Sequence, residues 1–79
     1  MKGFKTTEKT VRLIEGENTI VVIFNRDYTK YRIKKEVEQK LKVKVDKVRT
    51  TIQDNKKIAY IKLNEKNPAI DIATKFGLI

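Results

Sequence analysis

Seventy-nine residues carrying 19 Lys and Arg against 10 Asp and Glu, a formal charge of +9, with neither cysteine nor histidine, describe one small basic domain. That composition excludes disulfides, thiolate chemistry and the commonest zinc and general-base ligands. A chain this short buries only roughly 60% of the surface its unfolded form exposes, which leaves a thin core and no room for an ordinary catalytic cleft.

The natural partner of such a positive field is a polyanion. Nucleic acid comes first and an acidic membrane surface second, because no stretch pairs a wide apolar face with a basic one. The start, Met1-Lys2-Gly3-Phe4-Lys5, has no apolar run of the secretory kind, and nothing approaches the ~20 apolar residues a bilayer span needs. The expectation is a cytoplasmic protein without membrane insertion.

In chain order, residues 1–6 are basic and suit a brief edge strand. Thr6-Thr7-Glu8-Lys9-Thr10 has the chemistry of a helix start, with Thr7 as cap and Glu8 where the dipole favours an acid. Val11, Leu13 and Ile14 give that helix an inner side, and Gly16 is expected to end it in the left-handed conformation. Residues 19–24 form an unbroken apolar run, which predicts the most buried strand, covered on both faces. The short first helix then lies on one face and the longer helices on the other, giving three layers, or two with a partial third.

Asn25-Arg26-Asp27-Tyr28 turns the chain, and Thr29 caps the next helix. Ile33, Val37 and Leu41 recur every four residues and make its apolar stripe. Lys30 and Lys34 stand in its first two turns, where the dipole prefers acids. They are either merely solvated, or they stand beside free N–H groups as a seat for phosphate. Tyr28 and Tyr31 read as packing or rim residues, since neither has a catalytic partner in sequence.

Residues 45–52 and 57–63 flank Asp54-Asn55 and predict a β-hairpin with a two-residue loop. Counting outward, Gln53 faces Lys56, Thr50 faces Ala59 and Val48 faces Ile61. The other face receives Lys47 opposite Lys62 and Arg49 opposite Tyr60, at cross-strand separations of about 5 Å. Two lysines that close repel. The face is either a solvated exterior with one tyrosine or a surface met by an anionic partner with flat rings.

Asn67-Pro68 predicts a last helix with Asn67 as cap and Pro68 at its first position. Ala69, Ile70, Ile72, Ala73 and Phe76 form its stripe, Lys75 suits its last turn and Gly77 its left-handed end, with Leu78 and Ile79 folding back. A right-handed crossover makes 19–24 parallel to 45–52, with 57–63 inserted antiparallel to both. The predicted class is α+β: a small three- to four-stranded, mainly antiparallel sheet with helices packed on it, in a split strand-helix-strand arrangement. Asp27, Asp46, Asp54 and Asp71 are scattered among separate elements, no base adjoins a nucleophile, and no Gly-rich phosphate loop occurs. No enzyme, small-molecule substrate, cofactor or metal is expected.

Several stretches in register carry a resemblance. They are Thr7-Glu8-Lys9-Thr10; Asn18-Thr19-Ile20-Val21-Val22-Ile23; Thr29-Lys30 with Ile33-Lys34-Lys35 and Val37-Glu38; Val43-Lys44-Val45 with Val48-Arg49-Thr50; and the ending Ile72-Ala73-Thr74-Lys75-Phe76-Gly77-Leu78-Ile79. Together they resemble the L23 family of large-subunit ribosomal proteins, archaeal type, over nearly the whole chain. The resemblance implies a structural RNA-binding protein near the polypeptide exit. The implied partners are large-subunit ribosomal RNA, neighbouring large-subunit ribosomal proteins and, docking nearby, nascent-chain factors such as the signal recognition particle.

Three departures stand out. Arg49 replaces the family's usual Asn, Ile58 replaces the second of two basic residues, and the hairpin tip is too short for a tunnel-lining role. The residues expected to contact RNA are Lys5, Lys9, Arg26, Lys30, Lys34, Lys47, Arg49, Lys56, Lys57, Tyr60 and Lys62. Lys9 and Lys30 rest on the family's Thr-Glu-Lys and Thr-Lys motifs, the hairpin residues mainly on the register. The alternatives are a free-standing RNA- or DNA-binding module and an interaction domain for an acidic protein.

Overall fold

The computed structural model describes residues 1–78; Ile79, expected to close on the last helix, lies outside them. The elements run β1 (Gly3–Phe4), α1 (Glu8–Glu17), β2 (Thr19–Asn25), α2 (Lys30–Leu41), β3 (Val45–Gln53), β4 (Lys56–Leu63) and α3 (Ala69–Lys75). The four strands form one sheet in the order β1-β2-β4-β3, every neighbouring pair antiparallel. The expected insertion of the third long strand between the other two is therefore observed. No described helix is long and apolar enough to cross a membrane.

Residues in register share a sheet face, so the pairing sorts every strand residue. On the inner face Ile20 meets Ile61, Val22 meets Ala59, and Val48 and Thr50 continue the two rows. Ile33, Val37 and Leu41 of α2 and Ala69, Ile72 and Ala73 of α3 close over them in one core. Phe24, Ile20, Ile33 and Ile61 are fully buried, and side chains of this size each contribute about 1.5–3 kcal/mol on leaving water.

The second, outer face is covered only in part. Val21 and Ile58 are buried there, while Lys62, Lys47, Arg49 and Thr51 are exposed. The first helix packs on β2 and reaches α3, its Ile14 joining the main core. It is thus the partial third layer.

The ends of the helices depart from the sequence expectation at two places, the end of α1 and the start of α3. Thr7 and Thr10 form a reciprocal capping box, with Thr10 N donating to Thr7 Oγ1 (3.2 Å) and Thr7 N to Thr10 Oγ1 (2.7 Å). Gly16, however, lies inside α1, and the left-handed position is Asn18, at φ 51°. Asparagine tolerates that conformation because its short amide finds partners nearby.

Here the Asn18 amide does more than end α1. Its Nδ2 lies 3.1 to 3.2 Å from the carbonyl oxygens of Leu63, Asn64 and Asn67, and its Oδ1 accepts from Ala69 N. Asn18 therefore caps the start of α3. Asn67, the expected cap, instead accepts from Lys44 N (2.8 Å), and Pro68 precedes the helix with φ −61°. Gly77 is left-handed at φ 70° as expected, and Leu78 N returns to Ala73 O (2.7 Å). Phe76 stays half out of the core, its ring 5.3 Å from that of Phe4.

Candidate nucleic-acid interface

The geometry of the outer face begins at the hairpin loop. Asp54 and Asn55 both take positive φ, 51° and 62°, the combination of the tight turn whose twist matches paired strands. That turn sets the register: Gln53 pairs with Lys56, Thr50 with Ala59, Arg49 with Tyr60, Val48 with Ile61 and Lys47 with Lys62. Each pair is the one counted from the sequence.

Below Lys47 the sequence count misses a bulge. Val45 pairs with Leu63 while Lys47 pairs with Lys62, so Asp46 has no partner opposite it. Without the extra residue Val45 and Lys47 would share a face. With it, Val45 is buried and Lys47 is turned outward beside Arg49. Asn64 Nδ2 holds the bulged residue through Asp46 Oδ1 (3.2 Å).

The outer face thus brings together Lys47, Lys62, Arg49 and Tyr60. The Arg49 guanidinium stands 5.9 Å from the centre of the Tyr60 ring. Lys47, Arg49, Tyr60 and Lys62 line one depression of about 220 Å³, together with Thr19 and Glu17. Lys9 and Leu13 of α1 join Arg49, Thr50 and Tyr60 around a second, of about 350 Å³. Glu17 is the acid lining the first depression, yet the two ion pairs among the described residues lie elsewhere, Met1 with Glu36 and Arg12 with Glu8. The lysine pair is left without a bonded counter-ion, at a cost of up to about 1 kcal/mol in water.

The remaining predicted residues sort differently. Lys56 stands on the outer face, at the hairpin tip. Lys57, one position along, falls on the inner face opposite Phe24, is half-buried, and donates to the Tyr28 carbonyl. Its ammonium holds the turn before α2. Arg26 donates to Asn55 Oδ1 (2.9 Å) and Lys5 to Gln53 Oε1 (3.0 Å), so both tie neighbouring elements to the hairpin tip. Lys30 and Lys34 are exposed on α2, which covers the inner face, and so stand across the sheet from the Lys47–Lys62 group.

Sequence reasoning missed the lining roles of Leu13, Thr19 and Glu17, which arise from a helix folding back over a strand. It also missed Arg32, whose guanidinium lies 4.0 Å from the Tyr28 ring centre; the four-residue spacing between them was the available signal. Tyr28 itself packs on Phe24 and donates to Glu36 Oε1 (3.2 Å), while Tyr31 is exposed beside Lys35. The Glu36 carboxyl also binds the Met1 ammonium (2.6 Å), and that hydrogen bond, opposed by burial, holds its pKa below the ordinary value of 4.5.

Comparison with known proteins gives the family of the chain. A family model described as Ribosomal protein L23 matches residues 2–70. The chain is 44% identical over 77 residues to the large ribosomal subunit protein uL23 of Caldivirga maquilingensis, covering 96% of this chain and 90% of that protein. It is 42% identical over 80 residues to the protein of the same name from Pyrobaculum aerophilum, covering 100% of this chain and 99% of that one.

Proposed function

This chain belongs to the ribosomal protein L23 family, a structural and non-enzymatic component of the large ribosomal subunit, and from that premise we propose that its outer sheet face seats it on large-subunit ribosomal RNA. One observation carries the reading. Lys47 and Lys62 are opposed on the same face as Arg49 and Tyr60, with no acid among the described residues bonded to either lysine. An arrangement that costs stability in the free protein is compensated when phosphates lie between the ammonium groups.

In this reading Lys9, Lys47, Lys56 and Lys62 neutralise phosphates, and Arg49 and Tyr60 meet bases and riboses. Lys30 and Lys34 offer a separate contact across the sheet. Lys57, Arg26 and Lys5 act first within the protein, ordering the hairpin tip that presents the others. A position near the polypeptide exit, with neighbouring ribosomal proteins and nascent-chain factors such as the signal recognition particle docking nearby, is the further proposal; its support is the family resemblance.

The test is sedimentation of a gently prepared extract before and after ribonuclease. The protein is expected to travel with the large subunit, to resist moderate salt, and to be released by ribonuclease. Finding it at the top of the gradient in both samples overturns the proposal.

A further inference from the structure

We infer that the recess between α1 and the hairpin takes a single unstacked nucleobase, so that the outer face reads a bulged or looped nucleotide rather than the side of a continuous duplex; this rests on the RNA-binding reading above. Four side chains argue for it. Tyr60 offers a ring, Arg49 stands 5.9 Å from that ring as a second flat group, Leu13 supplies an apolar wall from the helix, and Lys9 stands at the rim. Phosphate needs only cations. An apolar wall facing a tyrosine and a guanidinium is the environment of a flat ring with polar edges.

The size fits the same ligand. At about 350 Å³ the recess is at the small end of ligand pockets, which run from about 300 to 1,000 Å³, and is ample for one base. The neighbouring depression supplies the ends of the nucleotide. Lys47 and Lys62 line it, sharing Arg49 and Tyr60 with the recess, and so stand where phosphates flanking an inserted base would pass. Glu17 at its margin presents a carboxylate acceptor to the edge of an adjoining base, while Thr19 is buried and donates its hydroxyl to the Glu17 carbonyl (2.9 Å). The walls formed by α1 also work against a duplex, because a helix standing beside the strands interrupts the open surface that two stacked strands require.

The experiment compares the full chain binding two RNA probes at one salt concentration. One is a perfectly paired 12-base-pair RNA, and the other is the same duplex with one unpaired nucleotide in the middle. The bulged probe is expected to bind about tenfold more tightly, the typical worth of one stacked base. Tyr60→Leu and, independently, the exposed Arg49→Ala are expected to weaken the bulged probe about tenfold more than the duplex, so that the preference disappears. Lys47→Ala should weaken both probes alike. Equal, salt-dependent binding of the two probes overturns the nucleobase inference and leaves the RNA interface standing. Failure of both probes to bind overturns the two together.

Discussion

The two faces of the sheet are written by the same strands with the same alternation, yet they answer to different forces. On the inner face Ile20, Val22, Ala59 and Ile61 are fully buried under two helices. On the outer face the same strands set Lys62 against Lys47 and Tyr60 against Arg49, with one short helix beside them. The inner face is explained by the free protein's own stability. The outer one opposes that stability, so its composition points to a partner. A basic domain of 79 residues keeps the second only because the first is well packed.

The comparison is broken most severely from the inner side. Ile61→Ala removes a fully buried side chain at the centre of the core and is expected to cost about 2–5 kcal/mol, much of the stability of so small a domain. Denaturant unfolding measures it, and a loss below about 1 kcal/mol would mean the inner face is not the source of stability. Next comes the residue that joins the elements bearing both faces. Asn18→Ala deprives the Ala69 N–H of its acceptor, removes the two amide hydrogens shared among three carbonyls, and puts alanine at positive φ, with an expected loss of about 2 kcal/mol or more. Gly16→Ala separates this from glycine's role: Gly16 is helical with open space around it, so alanine should stabilise by roughly 0.5–1 kcal/mol. Destabilisation there would return the helix stop to Gly16.

The outer face should respond in the opposite sense. Lys62→Ala is expected to raise folding stability by about 0.2–1 kcal/mol as the facing lysines are parted. The same change should lower the salt slope of RNA binding by about 0.7–0.9, the signature of one fewer phosphate neutralised. Lower stability together with an unchanged slope would show that Lys62 belongs to the fold and not to an interface.

The smallest effect concerns the junction of the Met1 ammonium, Glu36 and Tyr28. Because the folded carboxyl titrates below its ordinary value of 4.5, its contribution is present above that pH and disappears as pH falls through the folded pKa. Wild-type and Glu36→Gln stabilities should therefore differ at neutral pH and converge in acid. A gap that persists undiminished in acid would assign the effect of Glu36 to packing alone.

Much of this was readable from residue order because it depends on short-range rules. Period-four spacing of Ile33, Val37 and Leu41 marks the α2 stripe, and two turn residues between β-rich runs set the hairpin register and hence the outer face pairs. Local chemistry also locates Thr7 and Thr29 as caps, since a hydroxyl reaches backbone N–H groups within its own turn. Other features arise where distant segments meet. Asn18 displaces Gly16 and Asn67 in their capping roles because its amide reaches β4 and α3, some 45 to 51 residues away along the chain. Asp46 bulges because Val45 must face the core while Lys47 must not, a conflict that two-residue periodicity cannot express. Lys56 and Lys57 look alike as adjacent cations in the sequence and are divided by the sheet plane, one outward and one bonded to Tyr28. The recess beside Tyr60 exists only because α1 folds back over its own strand. Periodicity and turn chemistry assign residues to faces. Which element covers each face, and which polar groups it leaves free, is settled by packing and by the need to satisfy every buried amide.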